Sequence, residues 1–272
     1  MSSRERIIPG FGLTLGFTVF YLSLLVLLPV AALFIKFLGL DLKTIIDNTT
    51  SPRVIASFRI SFMASFLAAL VNTFFGLIVA WVLVRYKFPG RRILDAFIDL
   101  PFALPTAVAG IALTAIYASS GSVGAILNKW GISVAFTPLG IFIALLFVGL
   151  PFVVRTLQPV IEDIDPEIEE AAATLGASGA RTFFSVLLPI LLPAMLTGFC
   201  LSFARGLGEY GSVVFISGNM PMKTEIVPLL IMTKLEQYDY PGAIVLSFVM
   251  LLVSFIMLLA VNYFQAILKR RN

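Results

Sequence analysis

The chain has 272 residues, 59% of them hydrophobic and 12% charged, with mean hydropathy +1.02, a composition that a soluble domain of this length could not bury in one core. Nineteen Lys and Arg against fifteen Asp and Glu give a net charge of +4, but these charges fall mainly between apolar runs, which argues against a nucleic-acid surface and makes lipid the solvent. There is no histidine and a single cysteine, which excludes His bases, His metal ligands, His proton relays and an intramolecular disulfide, and leaves no cofactor or metal in view.

A hydrocarbon core about 30 Å thick takes roughly 20 apolar residues per helix, so the chain has room for about six spans in one membrane domain, residues 1–272. The fold class is therefore all-α and polytopic. The first run, about 11–35, follows Arg4 and Arg6 and continues into Lys36; it is longer than a signal-peptide core of about 7–15 residues and reads as a retained span. The second, 58–84, carries Arg59 near one end, where it can snorkel to the headgroups, and Asn72, whose amide reads as interhelical glue. The third, 93–118, begins with Asp95 and Asp99 and then meets Pro101 and Pro105. Such prolines bend a helix and free carbonyls, a feature of paths and gates. The two carboxylates read either as interfacial groups beside Arg91 and Arg92 or, for Asp99, as part of a path. The fourth, fifth and sixth runs cover 138–157, 188–217 and 242–268, and Cys200 in the fifth reads as a small core filler.

Short-loop basic residues orient these spans. Arg4 and Arg6, then Arg85, Lys87, Arg91 and Arg92, then Lys269, Arg270 and Arg271 share one side. The opposite loops dilute Lys36, Lys43, Arg53, Lys129, Lys223 and Lys234 with Asp41, Asp47, Glu225, Glu236 and Asp239. Both termini and the segment 158–189 are thus predicted to be cytoplasmic.

Within that segment the spacing predicts a helix over 166–175. Asp165 caps it, Pro166 fits its first position, Glu167, Glu169 and Glu170 suit its positive end, and Gly176 ends it. Ile168, Ala171, Ala172 and Leu175 recur at helical spacing, giving a small apolar stripe that a partner backbone can approach closely. A second short helix is expected from Ala180 towards Leu188. Here the chain resembles the integral-membrane subunits of ATP-binding-cassette importers. Their cytoplasmic signature, E-A-A, three residues, G, nine residues, I, one residue, L-P, is present as Glu170-Ala171-Ala172, Gly176, Val186 and Leu188-Pro189, with Val for Ile the one departure. The resemblance implies the type I importer permease fold and a helix-turn-helix inserted into a separate nucleotide-binding ATPase subunit, so that Glu170, Ala171, Ala172, Gly176 and Pro189 would serve ATPase docking. No ATP site of its own is expected: Gly218 with Lys223-Thr224 fails as a phosphate loop, because Met222 replaces the second glycine and the segment lies on the outer side.

In the fifth run, Arg205 and Glu209 are four apart and can pair on one helix face. The pair reads as a packing lock or, with donors freed by Gly206, Gly208 and Gly211, as part of an anion path. The stretch from Phe203 through Glu209, Tyr210 and Ser212 to Asn219, with Asp99-Leu100-Pro101 before it, resembles the sulfate branch of the sulfate/molybdate permeases, over essentially the whole chain. That resemblance implies sulfate or thiosulfate as cargo, with molybdate or tungstate as the alternative, and Arg205, Glu209, Tyr210 and Asp99 as path residues. It also implies a second permease subunit, identical or related, and an extracytoplasmic anion-binding protein that supplies most selectivity and docks over 218–241. The membrane is the cell inner membrane or that of a plastid, where such permeases also occur. An ion-coupled secondary transporter using Arg205, Glu209 and Asp99 leaves the docking signature unexplained, and a membrane-embedded enzyme lacks a nucleophile or metal site.

Overall fold

The computed structural model describes residues 11–271, and the side chains among them apart from those of 260–262 and 264–271. The terminal basic residues invoked for orientation, Arg4, Arg6 and 269–271, lie outside these descriptions. The first apolar run forms α1 (Phe11–Leu38), which contains one π turn at Ser23–Leu27. That turn precedes Pro29: proline has no N–H to give the ladder, and the Leu28 N–H reaches back to the Ser23 carbonyl instead. A short helix, α2 (Leu42–Thr50), follows, and Ser51 then accepts a hydrogen bond from the Val54 N–H to cap α3 (Pro52–Arg85).

The expected third span is not one helix. It is divided into α4 (Arg91–Ile98), α5 (Leu100–Ala103) and α6 (Thr106–Tyr117). Leu104 is extended, the conformation forced on a residue that precedes proline, and Pro105 offers no donor to continue the ladder. After α7 (Gly124–Lys129) come α8 (Pro138–Glu162), α9 (Pro166–Thr174) and α10 (Gly179–Leu207). The fifth expected span thus begins and ends earlier than its hydropathy suggests. The short helix expected after Ala180 is its first turn, joined to it through a π turn at Phe183–Leu187 just before Pro189. The chain then breaks at Gly208–Tyr210 and resumes as α11 (Gly211–Ser217), α12 (Val227–Glu236) and α13 (Tyr240–Arg271).

Among the described residues five helices, α1, α3, α8, α10 and α13, are long and apolar enough to cross a membrane. The interrupted α4–α6 series occupies the place of the remaining expected span. No strand occurs among the described residues. The core is the mutual packing of α3, α8 and α10. One close approach is at Val153 of α8: a Cβ at Gly76 of α3 would lie 2.7 Å from Val153 Cγ1, and one at Gly198 of α10 would lie 3.0 Å from Val153 Cα. Glycine on both flanking helices lets the backbones approach, which is how helices gain packing energy in lipid, where water does not drive them together. Asn72 of α3 is the expected glue, donating to the Leu146 carbonyl of α8 at 3.2 Å and to Ser202 Oγ of α10 at 3.3 Å. The large apolar side chains left outside, including those along α1, face the position of lipid.

Candidate docking and translocation sites

At one end of the bundle α9 stands on the short linker after α8. Asp165 Oδ1 accepts from the Glu167 N–H at 3.0 Å, and Gly176 closes the helix at φ +81°, where a Cβ would be strained. Glu170, Ala171 and Gly176 are exposed, Ala172 is half-buried, and Pro189 is exposed on α10. The apolar stripe is likewise presented outward rather than folded onto the bundle, with Leu175 89% exposed. The opposite side of the helix is held down: Glu169 pairs with Arg85 at the end of α3 at 2.9 Å. Arg85 also donates to the Ile164 carbonyl at 3.4 Å and lies over the Trp81 ring, 5.3 Å from its centroid. A groove of about 800 Å³ runs between α3, α9 and the start of α10, lined by Trp81, Tyr86, Glu169, Ala173, Phe183 and Leu187 among others.

Asp99 and Asp95 share an arginine that the sequence reading did not assign. Arg155 of α8 gives Asp99 two bonds, Nε to Oδ1 at 2.7 Å and Nη2 to Oδ2 at 2.5 Å, and gives Asp95 two, Nη1 to Oδ1 at 2.7 Å and Nη2 to its backbone carbonyl at 3.1 Å. Gln158 completes the cluster, accepting from Arg155 Nη1 at 2.6 Å. Arg91 and Arg92, near these carboxylates in sequence, form no ion pair with them among the described residues; Arg155 reaches them with a planar fork that matches a carboxylate edge. The signal was an arginine inside the fourth apolar run, 56 and 60 positions from its partners.

Deeper in the bundle Arg205 and Glu209 do meet, at the point where α10 ends. Glu209 is 1% exposed. One of its oxygens takes the Arg205 guanidinium, and the other accepts from the Ser212 N–H at 2.9 Å and from Ser212 Oγ at 2.8 Å. The carboxylate is thus fully satisfied, as a buried charge must be. Arg205 keeps 31% of its side chain exposed and makes no further hydrogen bond among the described residues. Gly206 packs on Ser65, 13 residues into α3, about 20 Å from that helix's first residue at about 1.5 Å per residue. The site therefore sits at hydrocarbon depth. Tyr210, 39% exposed, precedes α11, which packs along α6. Asp99 belongs to the other end of the bundle with Arg155, so the four proposed path residues do not form one cluster.

The end of the bundle opposite α9 is tied separately. Glu225, with its side chain fully buried, takes Arg53 Nε at 2.8 Å and Nη2 at 2.7 Å. Lys234 joins three elements by donating to Asn48 at 2.8 Å and to Asp239 at 2.6 Å. Lys234 holds the Asp239 carboxyl below the usual carboxylate range, against a smaller opposing effect of burial.

A polytopic helical bundle that projects a capped amphipathic helix between two of its spans defines a transport permease. The sequence model of binding-protein-dependent transport system inner membrane components matches residues 72–272, and the chain belongs to that family. It is 51% identical over 249 residues, 92% of this chain and 88% of the relative, to a probable sulfate transport system permease protein of Nephroselmis olivacea. It is 45% identical over 269 residues, 99% of this chain and 97% of the relative, to a sulfate transport system permease protein of Escherichia coli K12. Among solved structures, a bacterial ABC transporter that imports the acidic polysaccharide alginate superposes with TM-score 0.78 at 14% identity, covering 94% of each chain. A methionine ABC transporter in an inward-facing conformation superposes with TM-score 0.58 at 14% identity, over 79% of this chain and 95% of that one. The fold is that of ABC importer permeases.

Proposed function

We propose that the chain, as one domain over 1–272, is the membrane-spanning subunit of an ATP-driven, binding-protein-dependent sulfate importer. The observation that carries the machine is α9: a capped helix with Glu170, Ala171 and Gly176 exposed and its apolar stripe turned away from the bundle. An apolar stripe left in water asks for a protein partner, and the partner that fits is a separate nucleotide-binding ATPase subunit. Hydrolysis belongs to that subunit. The cargo reading is supported by likeness to sulfate permeases over nearly the full chain. Thiosulfate has the same charge and near-tetrahedral shape and is a second substrate of the same site.

In this reading both termini and α9 are cytoplasmic, in a cell inner membrane, and two permease chains enclose the path. A loaded anion-binding protein docks over 218–241. Closure of the ATPase dimer moves α9 and, through Arg85 and Glu169, the end of α3. Arg205 offers a transient cationic contact to the dianion, with Glu209 holding it in place and keeping the resting charge near zero. A weak path suffices, because selection has occurred in the binding protein. Tyr210 stands at the break beside this pair, and Asp99 acts at the cytoplasmic end.

The test is ATP hydrolysis by the complex reconstituted in vesicles, with the binding protein loaded with sulfate, thiosulfate or molybdate. Sulfate and thiosulfate should stimulate turnover and molybdate should not. Stimulation by molybdate alone would move the chain to the molybdate branch, and uptake driven by an ion gradient without the ATPase would overturn the machine itself.

A further inference from the structure

The loop after α3 and the helix α4 hold three cations whose side chains form no ion pair or hydrogen bond among the described residues, Arg91 acting on Asp95 by its charge alone. Lys87 and Arg92 are exposed and Arg91 is half-buried. Arg91 lies one turn from Asp95, whose carboxylate is already taken by Arg155. The three surround an open pocket of about 410 Å³, with Phe88, Gly90 and Ile93 completing its wall. On the other face of α4, Ile93 is 64%, Leu94 44% and Phe97 63% exposed, while Ile98 is buried in the core. The helix is thus amphipathic, with cations on one side, an uncovered apolar edge on the other, and Asp95 and Asp99 anchoring it to α8.

We propose that this pocket binds the phosphate of an anionic phospholipid, whose acyl chains lie along Ile93, Leu94 and Phe97. The apolar edge decides between occupants. A soluble anion would use the cations and leave three large side chains in water, whereas a lipid satisfies both surfaces at once, as interfacial helices do. The neighbouring α9 already presents a separate surface for a protein. The inference needs only that the chain lies in a bilayer; it does not depend on the cargo, the orientation or the ATPase.

The experiment places the full-length protein in nanodiscs of equal phosphatidylglycerol and phosphatidylcholine and counts the lipids retained by native mass spectrometry. Wild type should retain phosphatidylglycerol preferentially. The triple variant Lys87→Gln, Arg91→Gln, Arg92→Gln should lose about tenfold or more of that preference. The conservative set Lys87→Arg, Arg91→Lys, Arg92→Lys should keep it and serves where the neutral variant folds poorly. Lys36→Gln, Lys43→Gln, Lys129→Gln, far from the pocket, should also keep it. Equal retention by wild type and the neutral triple, or an equal loss in the distant triple, overturns the site. Full displacement of the lipid by inorganic phosphate at millimolar concentration overturns the lipid assignment. So does lipid retention unchanged in a neutral triple that no longer binds the nucleotide-binding subunit, which would make the pocket a protein interface.

Discussion

Glu209 shows how a buried charge is made tolerable at membrane depth. Every lone-pair direction it uses is filled by a donor, and its counter-charge sits one turn away on the same helix. Periodicity made this pair legible, since residues four apart must meet on a helix. The Ser212 bonds were not legible, because they depend on the helix stopping. The partner of Asp95 and Asp99 was not legible for a related reason: Arg91 and Arg92 are near in sequence, while Arg155 is brought close only by the packing of α4 on α8. If Arg205 contacts the passing anion, Arg205→Gln should cut sulfate uptake about tenfold or more, the loss of one charge-assisted contact. Glu209→Gln should be worse for folding than for the path, because it leaves Arg205 without its counter-charge. Vesicle uptake of labelled sulfate, normalised to assembled complex, checks both; wild-type uptake by Arg205→Gln would remove this residue from the path.

The docking helix is the element most completely written in the sequence. Its cap, its proline and its left-handed glycine all act within a turn or two of themselves, so local chemistry settles them. Helix breaks are different. Hydropathy runs on through Leu104 and through Gly208–Tyr210, and what stops the helix is a missing proline donor in one case and a side chain in the other. In a continuous helix the Ser212 N–H would bond the Gly208 carbonyl; the Glu209 carboxylate takes that donor instead. Two perturbations of α9 separate its surface from its backbone. Glu170→Lys reverses an exposed charge without touching the fold and should lower binding of the ATPase subunit about tenfold in a pull-down titration, with membrane insertion unchanged. Gly176→Asp adds a Cβ at φ +81°, a strain of about 1 kcal/mol, and should weaken coupling more than Gly176→Asn, since asparagine accepts the left-handed region more readily. Equal coupling in both variants and wild type would mean that the turn after α9 carries no force.

Seen across the whole molecule, the charged ties other than Arg205–Glu209 gather at the two ends of an apolar bundle, and each end answers a different perturbation. At the end opposite α9, Lys234 depresses the Asp239 pKa. A carboxyl whose folded pKa is lowered contributes stability above its unfolded value of about 3.9 and loses it as pH falls through the folded one. This rim should therefore be indifferent from pH 7 to about 5 and loosen only below about 4. The melting temperature of Asp239→Asn should lie below wild type at pH 7 and converge on it in acid; a constant gap would assign the effect to the Gly242 N–H bond instead.

At the other end the ties converge on the docking loop. Arg85 fastens α3 to α9, and Arg155 fastens α8, the helix that leads into α9, to α4. If α9 moves as a lever, Arg85 and Glu169 with their neighbours in the adjoining groove are its direct link to α3, beside the indirect route through α8 and α10, which flank α9 in the chain and pack on α3. Arg85→Glu should then raise the ATP hydrolysed per sulfate imported, and Glu169→Arg should do the same, since each places like charges together. The double variant restores an opposite-charge pair in reversed order and should return the ratio towards wild type, though not the Trp81 contact that only an arginine at 85 makes. A half-exposed pair of this kind is worth about 0.2–1 kcal/mol in stability, too little to unfold the chain, so a changed ratio with unchanged melting would place the effect in force transmission. Additive losses in the double variant would show that Arg85 and Glu169 act independently, and that α3 is moved by apolar packing alone.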